Sequence, residues 1–110
     1  MTRLQAEVHT EMMVEDQKID AALDPKALAL PGRPRVVRIL WEPVVDSVGE
    51  DSLYVWVVLD DSTSDEDRVW DVLQELEDVI RDALRELADE RFPYIRYLTE
   101  AEMAEERRRP

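Results

Sequence analysis

The sequence predicts an α/β (α+β) domain of two layers: a three-stranded sheet with a hairpin and a crossover helix, ordered helix-strand-strand-helix-strand-helix. Three observations predict it. Residues 35 to 46 and 53 to 59 are β-branched runs joined through Gly49-Glu50-Asp51, the pattern of a hairpin. Val69, Leu73, Leu76, Ile80, Ala83 and Leu87 step by four and three, the pattern of an amphipathic helix. Phe92 to Leu98 is a third strand-like run, with Pro93 at its start, where a missing donor is tolerated. With 110 residues the chain can bury one modest core, so a single domain is expected.

The elements follow in order. Leu4, Val8, Met12, Ile19 and Leu23 recur at helical spacing and predict a helix over Thr2 to Leu23. Asp24-Pro25 reads as a fresh N-cap with proline at the first helical position, giving one short helical turn over residues 25 to 30. Pro31-Gly32-Arg33-Pro34 is a linker between this N-terminal helical segment, residues 1 to 30, and a sheet-and-helix core over residues 35 to 99. In the first strand Val37, Ile39 and Trp41 share one side and Arg38 and Glu42 the other, and Pro43 places this strand at an edge or a bulge. In the second, Leu53, Val55, Val57 and Leu59 share one face, and Tyr54, Trp56 and Val58 the other. Both faces are apolar, so either helices cover both or the Tyr54/Trp56 face awaits a partner. Thr63 with Glu66, or Ser64, starts a helix of about 25 residues, long enough to reach Leu87. Thr99 and Glu102 repeat the capping-box spacing before a short C-terminal helix within residues 100 to 110.

Charge bounds the function more than any motif does. Between Glu42 and Asp67 stand nine carboxylates (Glu42, Asp46, Glu50, Asp51, Asp60, Asp61, Asp65, Glu66, Asp67) and no Lys or Arg, and the whole chain sums to -13. Such a field repels phosphate backbones and attracts cationic surfaces. No cysteine is present, which excludes a disulfide framework, a thiolate metal site and a thiol nucleophile. With no apolar leader and no apolar run of about 18 residues, a cytoplasmic location is the parsimonious expectation.

Catalytic motifs are sparse. His9, between Glu7 and Glu11, has no nucleophile or second ligand at a diagnostic spacing and reads as an ordinary surface histidine. The Asp60 to Asp67 run lacks the central glycine and closing glutamate of an EF-hand loop, so helix capping and solvation account for it. Only Gly32 and Gly49 exist, each isolated, so no phosphate-cradling turn is available, and no cofactor is called for. Trp41, Trp56, Trp70, Tyr54, Tyr94 and Tyr97 are interleaved with carboxylates rather than set in a basic groove, which favours core packing and protein-binding anchors over base stacking. Arg33, Arg35 and Arg38 form a basic cluster whose simplest use is pairing with the acidic hairpin.

Residues 35 to 99, through Ile80-Arg81-Asp-Ala-Leu84-Arg-Glu-Leu87 and Phe92-Pro93-Tyr-Ile-Arg-Tyr, resemble the KH-like core of ribosome-binding factor A. That resemblance implies an RNA- or ribosome-associated fold, but the family binds RNA with a basic surface, and this chain is acidic and lacks a Gly-x-x-Gly clamp. Gly49-Glu-Asp-Ser-Leu-Tyr-Val-Trp-Val-Val-Leu-Asp-Asp61 with Phe92-Pro-Tyr-Ile-Arg-Tyr-Leu-Thr-Glu-Ala-Glu102 resembles small acidic bacterial proteins encoded beside HEPN-domain RNase toxins. This second resemblance implies an antitoxin that masks a cationic RNA-binding surface.

The expectation is therefore a non-catalytic, acidic protein-binding module that neutralises a basic, RNA-cleaving partner. Asp46, Glu50, Asp51, Asp60 and Asp61 would supply the field, and Tyr54 and Trp56 the anchors. The alternatives are a KH-like RNA- or ribosome-associated factor using Arg33, Arg35, Arg38 and Arg96, and a small metal- or acid/base-dependent enzyme using His9 or the Asp60 to Asp67 carboxylates. Self-association through the long helix or a sheet edge stays open.

Overall fold

β2, Asp51–Leu59, lies at the centre of the sheet, because it is the strand with apolar side chains on both faces. A computed structural model describes residues 15–108, so the first part of the Thr2 to Leu23 helix, and His9 with it, lie outside the described residues. β1, Val36–Val45, pairs with β2 antiparallel, and β3, Phe92–Thr99, pairs with it parallel, giving the order β1-β2-β3. Pro43 accordingly sits on an edge strand. The hairpin closes through a hydrogen-bonded turn between Asp46 and Glu50, with Gly49 at a φ of 85° that favours glycine. The parallel pair needs a crossover, supplied by α2, Trp70–Glu86.

Three local expectations change. In β1 the register slips between Val36 and Arg38, so Val36, not Val37, packs on the core with Ile39 and Trp41. Residues 25 to 30 form no helical turn. Asp24 accepts the Lys26 amide on its side chain and the Ala27 amide on its carbonyl, closing a turn that runs into irregular chain.

The long helix is shorter than its stripe, 17 residues rather than about 25. Asp65–Arg68 is a separate 3-10 turn capped by the Ser64 hydroxyl, and Val69 is extended (φ -77, ψ 154) before α2 begins. The Thr63 hydroxyl donates to the Asp60 carbonyl instead of capping a helix, so local side-chain bonds compete with helix continuation here. Val69 is therefore exposed, and the buried stripe starts at Leu73 and continues through Leu76, Ile80 and Leu84.

That stripe packs on the first face of the sheet, against Leu53, Val55, Val57 and Leu59, with Ile19 and Leu23 from around α1, Asp16–Ala22, completing the core. The Trp41 indole N–H donates to Asp20 (2.6 Å) and the Tyr97 hydroxyl to Glu77 (3.1 Å), so both large aromatics at the rim have polar partners.

α3, Glu100–Arg108, starts with the capping box that the sequence predicts: the Thr99 hydroxyl accepts the Glu102 amide (3.2 Å) and Glu102 accepts the Thr99 amide (2.8 Å). Arg68 also grips Glu102 with both guanidinium nitrogens, and these bonds hold its carboxyl below the usual range. A lowered folded-state pKa stabilises above the unfolded value, here 4.5, and that contribution is lost as pH falls through the folded value. Acidification is thus expected to loosen α3 before the core. The protection factor of the Met103 amide should fall below pH 4.5 while that of the Val57 amide does not, and Glu102→Gln should make the Met103 protection factor less pH-dependent.

Candidate partner-binding face

The second face of the sheet is ordered in rows by the strand register. Arg38, Val58 and Leu98 form the first row; Leu40, Trp56 and Arg96 the second; Glu42, Tyr54 and Tyr94 the third; Val44, Ser52 and Phe92 the fourth. α3 covers the first row and part of the second. Met103 is its buried residue, and Val58 and Leu98 are buried as well. Glu100 pairs with Arg38 on β1 (2.8 Å) and Glu106 with Arg96 on β3 (2.9 Å), so the helix is tied to both edges of the sheet.

Among the described residues no helix covers the third and fourth rows in this way. Tyr54 is 43% exposed, Tyr94 39% and Phe92 50%, values that a packed core would not leave on large aromatic side chains. Their rings form a continuous edge-to-face series: Trp56 to Tyr54 at 5.7 Å between centroids, Tyr54 to Tyr94 at 5.9 Å, and Tyr94 to Phe92 at 4.9 Å. On its far side the Phe92 ring faces the Arg81 guanidinium, 5.3 Å from its centroid. A helix thus covers one half of the face, and the other half stays exposed.

Asp46 joins this face to the hairpin turn. It accepts the Glu50 amide (2.9 Å), the Val48 amide (3.1 Å), the Ser52 hydroxyl (3.3 Å) and the Tyr94 hydroxyl (3.0 Å). The Glu50 amide above all, with the other three donors, holds its carboxyl below the usual range, and the same contact raises the Tyr94 phenol. Asp46 therefore orients Tyr94 besides carrying charge. Asp46→Ala is expected to return the Tyr94 titration towards an ordinary phenol, read by ultraviolet absorbance, and to speed amide exchange at Val48 and Glu50.

The seven predicted partner-binding residues do not form one site. Asp46, Glu50, Asp51 and Tyr54 lie at the turn end, with Trp56 at the border of the α3-covered half, whereas Asp60 and Asp61 follow the opposite end of β2, about 30 Å along an extended strand of this length. Both are engaged there. Asp60 accepts the Ser62 hydroxyl and amide and faces Arg35, bonds that lower its pKa, and Asp61 accepts the Ala101 amide in the first turn of α3. Asp67 pairs with Arg33 (3.1 Å). Among the described residues no three metal-ligating side chains converge.

The basic cluster meets its expected acidic partners only in part. Arg35 faces Asp60 beyond the far end of β2, whereas Arg33 meets Asp67 and Arg38 meets Glu100, and none of the three reaches Asp46, Glu50 or Asp51 at the hairpin turn. Arg96, the fourth arginine of an RNA-binding alternative, meets Glu106. By contrast Glu42 in the bare rows and Glu50 at the turn beside them have no ion pair among the described residues; Asp51 has none either, but its register with Val45 turns it to the first face.

Val44, Glu42, Phe92 and Tyr94 join the face without having been singled out for it by sequence. Phe92, Tyr94 and Arg96 alternate, which is a legible signal, but only the β2/β3 register sets Tyr94 beside Tyr54. No family model, no curated protein and no solved structure matches this chain, so its function is read from the face itself.

Proposed function

We propose that this protein is a non-catalytic binding module that docks a basic protein on the bare, aromatic half of its sheet, acting as an antitoxin-like neutraliser of an RNA-cleaving partner. One observation carries the reading: exposed Tyr54, Tyr94 and Phe92 form a connected apolar patch whose β1 and turn-side rim, Glu42 and Glu50, holds carboxylates without counter-charges among the described residues. Aromatic anchors inside a charged rim are the composition of a protein interface, where the anchors supply affinity and the rim supplies encounter rate. The sign of the rim and the total of -13 select a cationic partner. The finer part of the reading, an RNA-cleaving partner, follows the resemblance of the Gly49 to Asp61 and Phe92 to Glu102 passages to proteins encoded beside such enzymes.

The test is affinity capture of the full-length chain from the cell that encodes it, at low ionic strength. A stoichiometric basic protein released as salt is raised, whose RNA cleavage is suppressed by re-addition of this chain, is the expected result. Capture of ribosomes or bare RNA, or of a partner indifferent to Tyr54→Ala with Tyr94→Ala, would remove the reading.

A further inference from the structure

The covered half of the sheet face shows what chemistry covers it. α3 lays its one buried side chain, Met103, on this half beside Leu40 and Trp56, and pairs two glutamates with the arginines at the edges, Arg38 and Arg96. Basic rim, acidic helix: the pairing closes that half. The bare half has the same apolar centre, now Tyr54, Tyr94, Phe92 and Val44, but its β1 and turn-side rim is acidic, from Glu42 and Glu50. On the β3 side Arg81 is already engaged by Glu77 (3.2 Å) and Phe92.

The dimensions favour a helix. Two rows about 7 Å apart along the strands, on three strands spanning about 10 Å, make a footprint that one helix about 10 Å wide fills. A cleft of about 410 Å³ lies where α3 meets this half, lined on the sheet by Leu40, Trp41, Glu42 and Trp56 and on the helix by Met103, Glu106 and Arg107. A second helix laid beside α3 would close it.

Resting on the binding reading above, we propose that the occupant of the bare half is an amphipathic helix of the partner whose apolar stripe is flanked by lysine and arginine, the charge inverse of α3. Charge complementarity selects it over the other occupants. A second copy would bring another chain of net charge -13 and a second Glu42 against the first. The chain's own residues 1 to 14 carry Glu7 and Glu11 against Arg3, the wrong balance for this rim. A strand added to a free sheet edge would leave the aromatic face bare.

The experiment uses the full-length chain with Phe92→p-benzoylphenylalanine, an aromatic replacement at a half-exposed position, as a photo-crosslinking probe. Two helical peptides of about four turns share one leucine stripe, flanked in one by lysine and arginine and in the other by glutamate. The basic peptide is expected to bind roughly tenfold or more tightly than the acidic one at low salt, to crosslink at residue 92, and to lose its advantage as salt rises or with Glu42→Lys. Equal binding of the two peptides, binding of neither, a crosslink to residues 1 to 14, or a crosslinked dimer would each overturn the proposal. Should a natural basic partner be captured through Tyr54 and Tyr94 and crosslink at residue 92 through a loop or strand, the helical occupant falls while the binding function stands.

Discussion

Leu76→Ala is expected to lower the free energy of unfolding by about 2–5 kcal/mol, the cost of removing a large side chain from a core that cannot collapse around the gap. Leu76 is fully buried on α2, between the β2 residues beneath it and the Ile19 and Leu23 pair. A domain of this size has roughly 5–15 kcal/mol in total, so the substitution removes a large share. The urea midpoint should fall by about 1–3 M with little change in slope. Val69→Ala is the informative comparison. It belongs to the same sequence stripe, yet Val69 is half-exposed at the start of α2, and its loss should cost no more than about 0.5 kcal/mol. Equal costs for the two substitutions would restore the unbroken helix that the stripe predicts.

The double substitution Tyr54→Ala with Tyr94→Ala is expected to weaken partner binding about 100-fold or more, as removal of two central aromatic anchors does at protein interfaces. Its effect on folding should be far smaller, about 1–2 kcal/mol, because both rings are only half-buried and their losses are edge-to-face contacts and the Asp46 bond. Titration calorimetry against the captured partner, beside denaturation of the variant alone, separates the two effects. A variant that binds as tightly as the parent would move the interface away from this face.

Much of the fold was legible because its determinants are local. The alternation in Leu53 to Leu59, the Pro43 edge signal, the Thr99 and Glu102 capping box and the stripe from Leu73 to Leu84 each operate within a few residues. Where the reading failed, side-chain bonds competed with periodicity: Ser64, Thr63 and the carboxylates of Asp60 to Asp67 divert the backbone into a 3-10 turn that no apolar spacing records. The far end of α2 was legible: the apolar stripe stops at Leu87, which caps the helix, although Ala88 rather than a glycine takes the left-handed φ of 60° there.

The site was legible in composition and not in arrangement. Tyr54 was visible as an apolar residue on a face with no assigned cover, but its neighbours Tyr94 and Phe92 come from a strand aligned by parallel pairing across a helical crossover. The acidic run was visible as one feature and is two. β2 carries Asp60 and Asp61 away from Asp51 by its full length, and there they serve α3 and the following loop rather than the hairpin.

The position of β2 also sets the order in which the molecule can assemble during synthesis. Its antiparallel neighbour precedes it in the chain, but its parallel neighbour starts only at Phe92, after the whole crossover has been made. At about 5–20 residues per second, a ribosome needs roughly 2–7 seconds to pass from residue 59 to residue 92. For that interval the most apolar strand of the protein emerges with one edge unpaired; on its first face only Ile19 and Leu23 around α1 are available, and its second face waits for α3. The carboxylates at Asp46, Glu50, Asp51, Asp60 and Asp61, which bracket this strand in sequence, are placed to keep one nascent chain from pairing with the next.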